Sequence, residues 1–251
     1  FNADFVALAN TYDLLIIGGG NYFELWVENS PTGTSIAIEP SLFSDIDVPV
    51  YFNALGVDPG QGVPYQSRKR FKAFLDQLLA SEQYLVSVRN DGALDALQTH
   101  LGNKYAQAVH HVPDGGFFTT IEDGKSKLIE DGYRYIGISV ANDMAEVRFA
   151  QFGEANQSQA FASEFAKAIS LLGTEHSDLR FILFPHIFRD LEVIYQVISA
   201  LDDRLRRTRI VVAPFGSGDN ATQAALTLYK QCTLVLGMRF HSNVCPMGVG
   251  R

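Results

Sequence analysis

The chain has 251 residues, enough for one large or two ordinary domains. Its 47% hydrophobic and 19% charged residues describe a globular protein with a substantial core, and no apolar run approaches the ~20 residues that span a bilayer. A formal charge of −8 without a Lys/Arg block argues against nucleic acid as the main ligand, and two cysteines, Cys232 and Cys245, form neither a disulfide framework nor a metal-ligand spacing. That cysteine usage fits a reducing, cytoplasmic setting.

In chain order, Tyr12–Ile17 is an apolar run closed by Gly18-Gly19-Gly20, which predicts a buried strand feeding a tight turn. A second strand is predicted over Val48–Phe52. From Arg68 to Ala80, apolar residues at 71, 74, 75, 78 and 79 make the stripe of an amphipathic helix, with Arg68-Lys69-Arg70 on its solvated start. Tyr84–Val88 is the next strand, followed by a helix from about Gly92 to Leu101 and a short strand around Ala108–Val112. The polar, glycine-bearing stretch Thr119–Gly132 is the best linker, separating an N-terminal domain over 1–122 from a C-terminal domain over 130–251. Strands then follow at Tyr135–Val140, Phe181–Phe184, Arg209–Ala213 and Leu234–Leu236, with helices at Gln157–Leu172, Asp190–Leu201 and Asn220–Gln231. Alternation of this kind predicts an α/β protein with parallel sheets, broken into two near residue 125. The chain lacks an initiator Met and stops at Pro246–Arg251, where another helix and strand are expected; we read it as a fragment with structure missing at both ends.

Ligands of open parallel sheets bind beyond the carboxyl ends of the strands. The strand Leu234–Leu236 ends at Gly237, and Arg239 and His241 follow it. A permanent cation beside a residue type that titrates near neutrality suits an anionic substrate and proton transfer. A structural ion pair for Arg239 and a helix-capping role for His241 fit the same spacing. Gly19, Gly20 and Asn21 follow a strand without the spacing of a dinucleotide fingerprint, so they either let amides approach a ligand or simply turn the chain. Arg89 lies just past the strand ending at Val88, placed for a carboxylate, a phosphate or an interdomain ion pair. Asp114 either meets a sugar hydroxyl or orders its own turn. His186 and Asp190 follow the strand Phe181–Phe184, where they suit a polar ligand; Asp190 also favours a helix start by charge alone. No cluster has metal-ligand spacing, and no serine sits in a G-x-S-x-G elbow.

Taken in order, Asp13–Gly20, Ser87–Asp91, Val112–Phe117, Gly137–Val140, Pro185-His186…Asp190 and Gly237-Met-Arg-Phe-His241…Pro246 resemble the polysaccharide pyruvyl transferase family over Tyr12–Gly248. The terminal Arg-x-His and the Pro-His-x-x-x-Asp elements are its most specific parts. The resemblance implies two Rossmann-like domains in a GT-B-like arrangement, with an acceptor side, a donor side and a cleft between them. It further implies transfer of the pyruvyl group of phosphoenolpyruvate onto two sugar hydroxyls as a ketal, with phosphate released. On that expectation Arg239 and His241 are catalytic, with His241 as general acid and Arg239 orienting the donor. Arg89, His186, Asp190, Asp114, Gly19, Gly20 and Asn21 then bind substrate. No cofactor or metal is implied beyond the phosphoenolpyruvate donor. The acceptor is a sugar, free or linked to a nucleotide or a lipid, and a lipid link would bring peripheral membrane association. Asn90 stands where the family has an acidic residue, no serine occupies 92–97, and the family's N-terminal glycine-rich strand-turn is absent. A glycosyltransferase or sugar-nucleotide epimerase of GT-B type, and a glycan-binding relative without turnover, are the competing readings.

Overall fold

A computed structural model describes residues 1–152 and 157–251. The chain divides into two compact units, Phe1–Gly115 and Gly116–Arg251.

The first unit carries strands β1 (Leu15–Gly18), β2 (Phe23–Glu24), β3 (Val50–Leu55), β4 (Val57–Asp58), β5 (Tyr84–Arg89) and β6 (His110–Val112). Its helices are α1 (Ala3–Ala9), α2 (Pro40–Phe43), α3 (Tyr65–Leu79), α4 (Ala93–His100) and α5 (Asn103–Ala108). A parallel sheet runs in the order β1-β3-β5-β6, while β2 and β4 form a small parallel ladder of their own. The predicted stripe of α3 faces inward: Phe71, Phe74, Leu75 and Leu78 are buried in one cluster with Val50, Phe52, Val86 and Val88 of the sheet. Edge-on contact of Phe43 with Phe74, ring centroids 5.5 Å apart, extends that cluster. Strand side chains alternate between faces. Accordingly Ile16 and Leu85, on the face opposite this core, stay exposed. A register shift between Phe52 and Leu55, with Ala54 at φ 50°, bulges the end of β3 just before Gly56.

The second unit contains β7 (Arg134–Ser139), β8 (Leu179–Leu183), β9 (Ile210–Val212) and β10 (Leu234–Gly237). Among them run α6 (Ala145–Arg148), α7 (Gln157–Glu175), α8 (Asp190–Ala200), α9 (Asp203–Thr208) and α10 (Asp219–Gln231), with α11 (His241–Gly248) after β10. The sheet is again parallel, in the order β10-β7-β8-β9. Both faces of its central strands β7 and β8 are covered, while Leu234 and Leu236 of the edge strand β10 stay exposed. Ile136, Ile138, Phe181 and Leu183 pack with α7 and α8 residues on one side, and Tyr135, Ile182 and Phe184 pack with Leu228, Tyr229 and Cys232 of the α10 segment on the other. Chain order reverses between β7 and β10, so the loops after these two strands flank a topological switch point, the usual ligand position of such sheets.

The fold matches the expected mixed α/β class with parallel sheets. The stretch 119–132 is tied to the second unit. Asp123 pairs with Lys230 at 2.6 Å, the Ser126 amide donates to Gln231 Oε1 at 3.1 Å, and Glu130 pairs with Arg180 at 2.6 Å. Helices α1, α2, α5, α6 and α9 and the β2/β4 ladder were not expected from periodicity. Each is seven residues or shorter, too short to show a repeat.

Candidate functional site

In the first unit, Gly19, Gly20, Asn21, Arg89 and Asp114 converge at the carboxyl ends of β1, β5 and β6. Gly19 turns the chain out of β1 at φ 89°, and the Gly20 carbonyl accepts from the Gly56 amide at 3.1 Å. A side chain at Gly56 would collide with Asn21 Oδ1 and come within 2.8 Å of Arg89 Nη2, so this close approach demands glycine. Arg89 is only 4% exposed. Its Nε donates to Asp91 at 2.5 Å, its Nη1 lies 3.5 Å from Asp114 Oδ2, and its Nη2 donates to Asn21 Oδ1. Arg89 is thus a clamp on Asn21, Asp91 and Asp114. Asn90 has a visible task as well, since its Oδ1 accepts from the Asp114 amide at 3.0 Å.

In the second unit the pair after β10 is divided. Arg239 Nη2 is 2.7 Å from Asp190 Oδ1 and 2.7 Å from Asp143 Oδ1. Asp190, the first residue of α8, is 0% exposed. Its Oδ1 also accepts from the Asn142 amide at 3.2 Å, and its Oδ2 accepts from the amides of His186 at 2.9 Å and Ile187 at 3.0 Å. One carboxylate thus joins the loops that follow β7, β8 and β10. Burial opposes ionisation of Asp190, but Arg239 and the amides of His186 and Ile187 outweigh it and hold the carboxyl below the usual range. Burial likewise disfavours the Arg239 cation, and Asp190 and Asp143 overcome it. Arg148 completes the chain of charges, with Nη2 3.2 Å from Asp143 Oδ2 and Nη1 donating to the Met238 carbonyl at 3.2 Å.

His241 opens α11 and lines a cavity of about 220 Å³ together with His186, Tyr229, Gly216 and Thr222. Ser242 accepts from the Arg239 amide at 3.1 Å and Asn243 donates to the Gly237 and Arg239 carbonyls, which fixes the turn carrying His241. His186 Nε2 is 2.7 Å from the Tyr229 hydroxyl, and Tyr229 is itself 2% exposed and stacked on Phe184 at 3.8 Å. His186 keeps an open edge, yet burial of the packed part of its ring lowers its pKa; Asp190 opposes that shift, and Arg239 and His241 add to it. No side chain caps α10, whose residues Ala221 and Thr222 line the same cavity; the Thr222 amide donates to the Gly218 carbonyl at 3.1 Å. The positive end of the helix favours an anion there, against the charge of Asp219 in its first turn. Cys232 is buried, and burial pushes its thiol up to about 12, in keeping with an apolar packing role.

Three contributors escaped the sequence reading. Asn142 and Asp143 form a polar pair just past a buried strand, a signal that was present. Tyr229 sits within an amphipathic helix, where an aromatic reads as core. A groove of the first unit, about 310 Å³ and lined by Phe5, Ile16, Ile17 and Tyr22, is apolar. Among the described residues, no group of three or more His, Cys, Asp or Glu side chains is arranged to hold a metal ion, and no helix is long and apolar enough to cross a membrane.

No curated protein matches the chain. The family model described as polysaccharide pyruvyl transferase matches residues 3–251, taking in both sheets, the Asp190–Arg239 pair and the two-histidine cavity. By that near end-to-end match the chain belongs to the polysaccharide pyruvyl transferase family, and it is accordingly a transferase enzyme.

Proposed function

We propose that the enzyme takes phosphoenolpyruvate as donor and places its pyruvyl carbon, as a ketal, on two hydroxyls of a glycan sugar, releasing phosphate. The observation that carries this reading is one cavity holding both an anion-favouring helix start and two imidazoles. Phosphoenolpyruvate brings a phosphate and a carboxylate, which need amide or cationic partners on leaving water. The first turn of α10 supplies amides. Arg239 acts one step back: with Nη2 engaged by Asp190 and Asp143, it orients the turn bearing His241 and contributes its charge to the field. His241 is the general acid that protonates the donor's methylene carbon. Asn21, Asp114, Gly19 and Gly20, held by Arg89, receive the acceptor in a GT-B-like division of labour between donor and acceptor units. The reaction draws on no further cofactor. A nucleotide- or lipid-linked sugar of envelope polysaccharide synthesis suits the acceptor role, with peripheral membrane attachment in the lipid-linked case, and a sequence with only two cysteines suits a cytoplasmic setting.

Calorimetric titration with phosphoenolpyruvate, UDP-sugars and GDP-sugars tests the donor, and phosphate release across a glycan panel tests the transfer. Binding of phosphoenolpyruvate with phosphate release in the presence of a sugar is the expected result. Binding of a nucleotide sugar without phosphoenolpyruvate would convert the assignment to a glycosyltransferase or epimerase.

A further inference from the structure

The stoichiometry of ketal formation asks for more than one proton-transfer group. As the first sugar hydroxyl attacks the donor's C2, its proton must leave while another proton arrives at the methylene carbon. These two events happen together on opposite sides of one small molecule, and a single imidazole cannot serve both. The cavity in the second unit holds a second imidazole in a definite arrangement. His186 Nε2 lies 2.7 Å from the Tyr229 hydroxyl, on a tyrosine that is buried and stacked on Phe184. Its backbone amide is tied to Asp190 at 2.9 Å, so main chain and ring are both anchored. Nδ1 is the ring nitrogen left to meet a ligand.

We propose that His186, oriented by Tyr229, is the general base of the transfer and works as a pair with His241. The inference rests on the phosphoenolpyruvate reading of this cavity. Neutral His186 carries its proton on Nε2, donating to the tyrosine oxygen, and presents the Nδ1 lone pair. In the first half, Nδ1 takes the proton of the attacking hydroxyl as the bond from sugar oxygen to C2 forms. The electron pair of the C2=C3 bond takes a proton from His241, turning the methylene into a methyl group. In the second half, His186 returns its proton to the bridging oxygen as the C2–O bond to phosphate breaks. The second hydroxyl then adds to C2 and gives its proton to His241. Both imidazoles finish as they began, and the sum is donor plus two hydroxyls giving ketal plus hydrogen phosphate. Asp190, Arg239, His241 and Tyr229 are the charged and titratable groups that bear on His186. The first favours its protonated form; the packing of one side of the ring, with Arg239 and His241, favours the neutral form.

Nitrogen-resolved NMR of the histidine-labelled full chain, with and without phosphoenolpyruvate, reads both the tautomer and the shared site. The expected result is an Nε2–H tautomer for neutral His186, with the rings of His186 and His241 both shifting when phosphoenolpyruvate is added. An Nδ1–H tautomer, or a response from His241 alone, overturns the inference while leaving the donor assignment standing. Silence from both rings removes the donor assignment and the inference with it. In phosphate release with a panel of methyl pyranosides, H186Q is expected to lower kcat by about 10²–10⁴-fold with phosphoenolpyruvate binding retained. Y229F, which keeps the stack on Phe184, should lower kcat and shift the His186 tautomer toward Nδ1–H. Unchanged turnover in H186Q overturns the assignment of the base.

Discussion

Asp190 and Arg239 stand 49 residues apart in the chain and 2.7 Å apart in space, with the carboxylate completely buried. Three backbone amides share that carboxylate, so its removal strands three N–H groups at once and leaves Arg239 with Asp143 alone. Breaking a buried pair of this kind costs about 3–5 kcal/mol. D190A is therefore expected to lower the unfolding free energy of the second unit by that amount, read from urea denaturation. A variant within a few tenths of a kcal/mol of the parent would show that the three loops hold themselves.

The same carboxylate sets a dependence on acid. Asp190 and Asp143 both have folded pKa values below the ordinary one: burial opposes ionisation in each case, and it is outweighed at Asp190 by Arg239 and two amides and at Asp143 by Arg239 and Arg148. A depressed carboxyl contributes stability that is present above its unfolded pKa, about 3.9, and is lost as pH falls through the folded value. The unfolding free energy is expected to fall as the solution is acidified below about pH 4. D190N should flatten that slope, and an unaltered slope would move the acid sensitivity elsewhere.

Gly56 fills a different need. Any β-carbon there meets Asn21 and Arg89, both part of the cluster assigned to the acceptor. Overpacking a tight site costs about 1–3 kcal/mol. G56A is expected to lose that much stability and to raise KM for the acceptor more than it lowers kcat. Wild-type KM in G56A would detach Asn21 and Arg89 from acceptor binding.

His241 offers a test by rate, because it is exposed on the cavity wall. Loss of a positioned acid–base group costs about 10²–10⁴-fold in rate. H241A should turn over at that reduced rate. Full turnover would take His241 out of the reaction.

The central strands were legible because a strand covered on both faces must be apolar on both. Phe181–Phe184 displays this as an unbroken run and Tyr135–Val140 as one interrupted by Ser139, and β7 and β8 form there. The apolar runs at Tyr12–Ile17 and Leu234–Leu236 read the same way, but they form edge strands that leave Ile16, Leu234 and Leu236 exposed. Helix α3 was legible for a related reason, since one wet face and one dry face impose a 3.6-residue period. The short helices and the β2/β4 ladder impose no comparable period, and tertiary packing alone selects them.

Of the site, the sequence determined which residues lie at the carboxyl ends of strands, because strand ends and turn residues are local properties. On that basis it picked out Arg89, His186, Asp190, Arg239 and His241. What each of them faces was decided only by the tertiary structure. The pairing of β10 alongside β7, at the point where chain order reverses, brings Asp143 and Asp190 to Arg239, which commits Nη2 to carboxylates. The packing of α10 against the same sheet sets Tyr229 beside His186 and leaves both imidazoles on one cavity. Electrostatic partners are chosen by distances of a few ångströms across loops far apart in the chain, and nothing in the local order of residues encodes those distances.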